Sequence, residues 1–197
     1  MTSGASFSFF DGILSKSIDG SLNFIFNAFT TGIAFHDVVL EAQEKGYTEP
    51  DPKIDLSGVD VARKILILAR ESGLEIELED IDNQSFLTLE TLRTNSNKAF
   101  FESLKANATH FDKLLEEAKA KGARLKYIAQ LDGNKASVGL QHVLPDHDFY
   151  NLEGSDNIIL FYSNRYNEQP LIVKGAGAGA EVTAAGIFGD IIRIGKR

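Results

Sequence analysis

Apolar residues recur every three or four positions through the first third of the chain, which is the spacing of one face of an α-helix. The pattern predicts three helices, each followed by a glycine that is a natural stop: one over 22–29, one over 38–45 and one over 57–72. The third is apolar over most of its circumference, so we expect it to be buried. Ser57 is expected to cap this helix, with Asp60 as the acidic partner three residues later.

The segment 47–55, between the second and third helices, contains two prolines. Each proline lacks a backbone donor, and the residue before it is pushed out of the α region. The whole segment is therefore predicted to be a loop.

After Gly73 the helical period gives way to alternation. Leu74, Ile76 and Leu78 alternate with glutamates, which is the pattern of a half-buried strand. One long helix is predicted over 96–121, and strands are predicted over 125–131, 136–140, 157–163 and 171–174. The first two of these strands flank Asp132-Gly133-Asn134, a strong hairpin signal. Helices followed by such strands predict an α+β fold, with a mainly antiparallel or mixed β-sheet and helices packed on one face.

Composition narrows the function classes. The 197 residues carry 20 Lys and Arg against 28 Asp and Glu, a formal charge of −8. This argues against nucleic acid as a partner, because phosphate neutralisation dominates such binding. There is no cysteine, which excludes disulfides, thiolate metal sites and cysteine nucleophiles. With no signal-peptide pattern and no apolar stretch long enough to span a bilayer, we expect a cytoplasmic protein without a membrane partner.

The two ends of the chain differ from its middle. Residues 1–19 are weakly patterned and are predicted to be a lead-in segment, native or added. Near the other end, glycine and alanine alternate over 175–180 and precede a helix-competent run over 182–193. Two interpretations of this turn carry equal weight: an anion or phosphate site at a helix N-terminus, and a tight turn that lets the last helix pack closely. A strict G-x-G-x-x-G fingerprint is absent, because no glycine stands where the third is needed.

Candidate chemistry is concentrated between residues 49 and 64. A proline-stiffened loop presents Glu49, Asp51 and Asp55, and the following helix adds Asp60 and Lys64. Asp60 and Lys64 are four residues apart and share one helical face. Carboxylates that converge on one lysine can hold an amino acid's ammonium group while the lysine handles a proton.

A purely structural interpretation of the same residues is also open. Asp60 and Lys64 form an ordinary helix pair in that case, and Asp60 is also where a capping-box acid belongs. The expected burial of the helix favours the functional interpretation, because buried charges must be paired or functional. No metal site is predicted: the carboxylates do not match an EF-hand loop, and the four histidines lack the spacing of known zinc motifs.

Several segments together resemble homoserine dehydrogenase. They are Gly20–Asn27, Glu41–Pro52, Asp55–Lys64 and Gly175–Gly186, with a shorter likeness over Gly154–Asn157. The resemblance runs from Ile18 to Ile194, and the block over 45–64 is the most specific part of it.

The resemblance implies NAD(P)-dependent interconversion of L-homoserine and L-aspartate 4-semialdehyde, a step of threonine and methionine biosynthesis. It implies a proton-transfer role for Lys64, with Asp60 as the second catalytic residue. The positions that it places at the substrate are Glu49, Asp55, Asp60, Tyr47, Gly20 and Ser21, and those that it places at the nucleotide are Gly179 and Thr183.

The chain departs from the family pattern at its N-terminus. In the family a dinucleotide-binding Rossmann domain with a second active-site lysine precedes the equivalent of Ile18, and many relatives also carry an aspartokinase domain. Here only 19 residues precede Gly20, and they contain no such unit. We therefore expect NADP or NAD not to bind tightly and the chain to be inactive alone.

The expected organisation follows from that departure. Residues 20–174 are expected to form a homoserine-binding and homodimerisation domain, and residues 175–197 to return to a nucleotide-binding domain. Two alternatives stay open: a structural dimerisation module and a regulatory domain that senses an amino acid.

Overall fold

Residues 13–17, 20–153, 156–176 and 180–196 are described by a computed structural model of the chain. Within these ranges the helices are α1 (Gly20–Ala28), α2 (Phe35–Glu44), α3 (Pro52–Leu56), α4 (Val59–Glu71), α5 (Leu89–Leu92), α6 (Asn97–Ala106), α7 (Ala108–Ala120) and α8 (Ala180–Gly195). The strands are β1 (Ile13–Ser17), β2 (Asp82–Gln84), β3 (Arg124–Asp132), β4 (Lys135–Val143), β5 (Asp156–Phe161) and β6 (Leu171–Ala176). The α+β class is confirmed.

The described strands form one sheet in the order β2-β4-β3-β1-β5-β6. All neighbours are antiparallel except β2 and β4. The predicted hairpin is confirmed, since Asp132 pairs with Lys135 across the turn. The lead-in segment, in contrast, supplies a central strand: β1 lies between β3 and β5. Its strand character depends on these two neighbours, which come more than a hundred residues later in the chain.

The two faces of the sheet differ in what covers them. On β3, Tyr127, Ala129 and Leu131 belong to the main core with the helices, whereas Ile128 belongs to a smaller cluster with Phe149 and others. Successive strand residues point to opposite faces, so the alternation on β3 assigns one face to the helices. The segment 144–153 contributes to the smaller cluster on the other face.

Aromatic rings fill the main core between the helices. Phe35 of α2 stacks on Phe111 of α7 with ring centroids 4.3 Å apart, and both rings are 1% exposed. Phe86 packs edge-on to Phe26 and to Tyr127, which joins α1 and β3 through the loop after β2. These contacts hold the helix layer on the sheet.

The strand predicted over 74–79 is wrong. Residues 74–77 pair with no strand, and Leu78–Asp80 is a turn of 3₁₀-helix. The side chain of Arg70 on α4 donates to the carbonyl of Ile76 at 3.1 Å and to Glu77 Oε2 at 2.5 Å. Residues 76 and 77 are therefore bonded by a side chain of α4 and not by a neighbouring strand. The alternation shows only that Leu74, Ile76 and Leu78 pack against the main core.

The single helix predicted over 96–121 is two helices. α6 and α7 meet at Asn107, whose side-chain amide donates to the carbonyl of Ser103 at 2.9 Å. Such a side-chain bond to the backbone competes with helix continuation, which explains the break. No helix in the described part of the chain has the length and hydropathy of a membrane span.

Candidate functional site

Asp55 connects three parts of the candidate site. One of its carboxylate oxygens accepts from the hydroxyl of Ser21 at 3.2 Å, and the other accepts from the backbone N–H of Glu49 at 3.0 Å. Ser21 lies in the first turn of α1 and is 4% exposed. The carboxylate therefore fixes the start of α1 and the backbone of the 47–51 loop on α3.

The loop that carries Glu49 is held from outside as well. The carbonyl of Pro50 accepts from the side-chain amides of Gln43, at 3.0 Å, and Asn97, at 2.6 Å. Asp51 then caps α3 by accepting from the N–H of Lys53, and Pro52 occupies the first helical turn. The prediction of a loop through residue 55 is thus wrong beyond Asp51, because proline is well tolerated in the first turn of a helix.

Asp60 and Lys64 form the ion pair that their spacing predicts. Lys64 Nζ lies 2.5 Å from Asp60 Oδ2 on the same face of α4. The side chains are 36% exposed for Lys64 and 45% exposed for Asp60. The expectation of a buried helix is wrong here, since α4 also exposes Arg63 and Ile67 to solvent. Because both side chains are partly exposed, burial no longer favours a functional role for the pair. Both groups are, however, accessible to a ligand.

The predicted Ser57 cap is found only in part: the Ser57 hydroxyl accepts from the backbone N–H of Val59, the first residue of α4, at 3.4 Å, but Ser57 is not the N-cap residue. Ser57 ends α3, where its hydroxyl donates to the carbonyl of Ile54 at 2.7 Å, and the residue at the N-cap of α4 is Gly58. Gly58 has φ +74°, a left-handed conformation that glycine adopts without the strain of a Cβ. One residue therefore turns the chain between the helix of Asp55 and the helix of Asp60.

The remaining residues predicted at the substrate lie close to these elements. Gly20 is the first residue of α1, next to Ser21. The ring of Tyr47 packs on Phe24 of the same helix, with centroids 4.6 Å apart, and Tyr47 is 46% exposed. The carboxylate of Glu49 belongs to an exposed residue. Helix α3 contacts both α1 and α4, so the predicted residues share one region.

The predicted nucleotide residues are described only in part. Thr183 is exposed on α8, whereas Gly179 lies outside the described residues, as do Gly154 and Ser155. Among the described residues, no group of three or more His, Asp or Glu side chains is arranged to hold a metal ion.

A buried lysine that bonds to α1 was not singled out from the sequence. Lys126 of β3 is 1% exposed, and its Nζ donates to Asn23 Oδ1 at 3.1 Å, Asn27 Oδ1 at 2.6 Å and the carbonyl of Leu152 at 2.6 Å. Burial, helped by the nearby positive charge of Arg124, lowers its pKa to about 8. A sequence signal was present: two asparagines four residues apart form a polar stripe on the otherwise apolar α1.

A cavity of about 670 Å³ lies elsewhere, next to β4 and the segment before β6. It is lined by residues such as His142, Tyr162 and Ile172. None of the residues predicted at the substrate lines it, so its volume does not bear on the carboxylate site.

Comparison with known proteins decides the family. The family model described as homoserine dehydrogenase matches residues 1–192. The chain belongs to the homoserine dehydrogenase family. Three similar proteins each match more than nine-tenths of the chain.

The chloroplastic bifunctional aspartokinase/homoserine dehydrogenase 2 of Zea mays is 49% identical over 186 residues, which cover 93% of this chain and 20% of the maize protein. The homoserine dehydrogenase of Saccharomyces cerevisiae is 40% identical over 194 residues, which cover 95% of this chain and 53% of the yeast protein. A crystal structure of a Candida auris protein of unknown function superposes with a TM-score of 0.87 at 38% identity, covering 94% of this chain and 54% of that one. This homoserine dehydrogenase family chain thus spans about half the length of the fungal relatives and a fifth of the maize protein.

Proposed function

We propose that this chain is the substrate-binding catalytic part of a homoserine dehydrogenase, an oxidoreductase that interconverts L-homoserine and L-aspartate 4-semialdehyde with NAD(P). The observation that carries the proposal is the Asp55 connection between α1, α3 and the Glu49 loop, next to the Asp60–Lys64 pair, in a chain of this family. The step belongs to the aspartate pathway that leads to threonine and methionine.

The carboxylates provide the charge that an amino acid's ammonium group requires. Glu49 presents an exposed carboxylate on the loop before α3, and Asp60 presents a half-exposed one on α4. Asp55 holds the backbone of Glu49 in place. Charge-assisted hydrogen bonds to an ammonium group are about twice as strong as neutral ones. We assign Glu49, Asp55 and Asp60 to the substrate's amino end, with Tyr47, Gly20 and Ser21 at its border.

Lys64 handles the proton at the substrate's C4 oxygen. When the aldehyde is reduced, a hydride is added to C4 and the carbonyl oxygen takes a proton, which the Lys64 ammonium donates. When homoserine is oxidised, the hydroxyl proton passes to the neutral amine as hydride leaves C4. Asp60, 2.5 Å from Lys64 Nζ, orients the lysine in both directions.

The nicotinamide cofactor supplies the hydride donor or acceptor. The described residues do not form a site for it: Thr183 is exposed on α8, and the sequence contains no G-x-G-x-x-G fingerprint after a strand. We therefore propose that NADP or NAD does not bind tightly to this chain alone and that the chain alone is inactive. The exposed apolar side chains of α8, among them Ile187, Phe188 and Ile191, suit packing against a nucleotide-binding domain.

We further propose a cytoplasmic homodimer. The strand at the β6 edge of the described sheet exposes Leu171, Ile172 and Val173 by 43–52% each, and exposed apolar edge strands favour pairing with another chain. Residues 20–174 are the proposed substrate-binding and dimerisation domain, and residues 175–197 the part that contacts the nucleotide-binding domain. The maize relative's name indicates that an aspartokinase is joined to such a domain in that protein.

Calorimetric titration of the chain with L-homoserine and two analogues tests the assignment. We expect L-homoserine to bind, and 4-hydroxybutanoate, which lacks the amino group, to bind at least tenfold more weakly because the carboxylates then face no cation. L-2-Aminobutanoate, which lacks the hydroxyl, should lose affinity through Lys64 instead. An Asp112→Asn variant removes one exposed carboxylate on α7 and is the charge-matched control for Asp60→Asn.

Equal affinity for homoserine and 4-hydroxybutanoate would contradict the ammonium assignment. Reduction of NADP by the chain and homoserine alone, at rates typical of dehydrogenases, would contradict the expectation that the chain is inactive alone. A strictly monomeric mass by light scattering at micromolar concentration would remove the dimer, which leaves the substrate assignment intact. The amino-acid-sensing alternative predicts binding of L-threonine at the affinity of L-homoserine, and the same titration measures it.

A further inference from the structure

The joint between α3 and α4 is packed against a tyrosine of the sheet. Tyr127 of β3 is 3% exposed, and its hydroxyl donates to Asn83 Oδ1 at 3.2 Å. The amide of Asn83 donates in turn to the carbonyl of Ser57 at 3.0 Å. The sheet therefore reaches the last residue before Gly58 through two consecutive hydrogen bonds.

Gly58 itself lies directly on the tyrosine. A Cβ built on Gly58 would overlap the Tyr127 hydroxyl, would lie 2.9 Å from Cζ of the same ring and 3.0 Å from Asn83 Oδ1. Other glycines with positive φ, such as Gly46 and Gly73, have open space at the same position. At Gly58 both the backbone conformation and the contact require glycine.

This contact lies between the two halves of the candidate site. Asp55 is three residues before Gly58, and Asp60 is two residues after it. The direction in which the chain leaves Gly58 decides where α4 places Asp60 and Lys64 relative to Asp55. Groups that do not touch the ligand support a site by holding its contacts in place, and misplacement of those contacts by about 1 Å costs rate and affinity.

We propose that Tyr127 is a positioning residue for the homoserine site, acting through Gly58 and Ser57 on the spacing between Asp55 and the Asp60–Lys64 pair. The identity of the ligand rests on the proposed function, whereas the support of the α3–α4 joint by Tyr127 does not. Asn83 is the second member of the device, since it links the tyrosine hydroxyl to the backbone of the joint.

Tyr127→Phe removes the hydroxyl and keeps the ring that packs on Phe86. Tyr166→Phe is the matched control, because Tyr166 is 42% exposed and lies in the turn before β6. Homoserine affinity is measured by calorimetry, and the titration of the Asp55 and Asp60 carboxyl carbons is followed by NMR without ligand. We expect Tyr127→Phe to weaken homoserine binding about fivefold, the loss that one neutral hydrogen bond typically carries, and to shift the Asp55 or Asp60 titration. Tyr166→Phe should change neither.

Gly58→Ala perturbs the same contact by adding an atom, whereas Tyr127→Phe removes one. It places a methyl group against the hydroxyl, so we expect a larger loss of affinity than with Tyr127→Phe, and partial recovery when the two substitutions are combined. Recovery in affinity, and not only in resistance to urea, separates positioning from general stabilisation. If Gly58→Ala does not fold, Asn83→Ala takes its place, with the loss expected to match that of Tyr127→Phe.

Two results would overturn the proposal. The first is homoserine binding that Tyr127→Phe leaves unchanged. The second is carboxyl titrations that are the same in Tyr127→Phe and the wild type. If the wild-type chain binds no homoserine, the proposed function fails, and the titrations alone then decide whether the tyrosine positions the carboxylates.

Discussion

Asp55 accepts a hydrogen bond from Ser21, a residue 34 positions earlier in the chain, and thereby joins the first turn of α1 to α3. The same carboxylate accepts from the backbone of Glu49. A single short side chain thus spans two helices and a loop that the proposed function requires together. Its role is more structural than the pattern of carboxylates alone predicted.

Replacement of Asp55 by asparagine tests this role. One side-chain oxygen becomes an amide donor, so it no longer accepts from both Ser21 and Glu49, and we expect the free energy of unfolding to fall by about 1–2 kcal/mol. Homoserine affinity should fall by at least tenfold, since the Glu49 loop loses its anchor. Urea unfolding and calorimetry measure the two quantities. A variant with wild-type stability and affinity would show that neither hydrogen bond matters.

For the Asp60–Lys64 pair we expect a loss of affinity without a loss of stability. Both side chains are more than a third exposed, and exposed pairs at this helical spacing contribute about 0.3–0.5 kcal/mol. Asp60→Asn and Lys64→Met should therefore leave the urea midpoint nearly unchanged. Asp60→Asn should nevertheless weaken homoserine binding by at least tenfold, with Asp112→Asn as the control. A large loss of stability in either variant would favour the purely structural interpretation.

Replacement of the buried Lys126 is expected to lower the free energy of unfolding. Lys126→Met leaves the side-chain oxygens of Asn23 and Asn27 and the carbonyl of Leu152 without their ammonium donor. The side-chain amide of Asn27 still donates to Asn23 Oδ1 and to the carbonyl of Leu152, so the loss falls mainly on Asn27 Oδ1. We expect the free energy of unfolding to fall by about 1–3 kcal/mol. Lys135→Met, at an exposed position next to the hairpin turn, is the matched control. Equal urea midpoints for the two variants would contradict the prediction.

The lowered pKa of Lys126 predicts a pH dependence. Its pKa is about 8 in the folded chain and 10.5 when unperturbed, so between these values the unfolded state holds a proton that the folded state has released. Stability from this group therefore rises with pH across that window, by up to roughly 1.4 kcal/mol per pH unit, and is lost as the pH falls through 8. The gap in unfolding free energy between wild type and Lys126→Met should widen from pH 8 to pH 10. A constant gap would contradict a lowered pKa.

Much of the fold follows from local pattern. The apolar face of α1 and the Asp132-Gly133-Asn134 turn are decided by residues close in sequence, and both are predicted correctly. β1 was not, because five residues become a strand only when β3 and β5 flank them. The strand expected after Gly73 was wrong because alternation shows which side chains are buried, and not whether a neighbouring strand exists.

The candidate site shows the same division. The i,i+4 spacing predicts the contact of Asp60 with Lys64, but their exposure depends on what packs around α4. The function of Asp55 as an anchor could not be predicted, since its partner Ser21 comes from another helix. Tyr127 carried no signal in the sequence, and Lys126 carried only the indirect one of Asn23 and Asn27, because a strand residue's partners are set by the tertiary fold.

Lys126 and Tyr127 are neighbours on β3, and because strand side chains alternate, the two side chains leave the strand in opposite directions. One holds α1 through Asn23 and Asn27, and the other supports the joint at Gly58. The direction of each side chain depends on the pairing of β3 with β4, which the turn at Gly133 and Asn134 sets. Insertion of a single residue between that turn and Tyr127 would exchange the two faces. The length of this exposed hairpin turn therefore constrains the geometry of the candidate site, although the turn contributes no atom to the site.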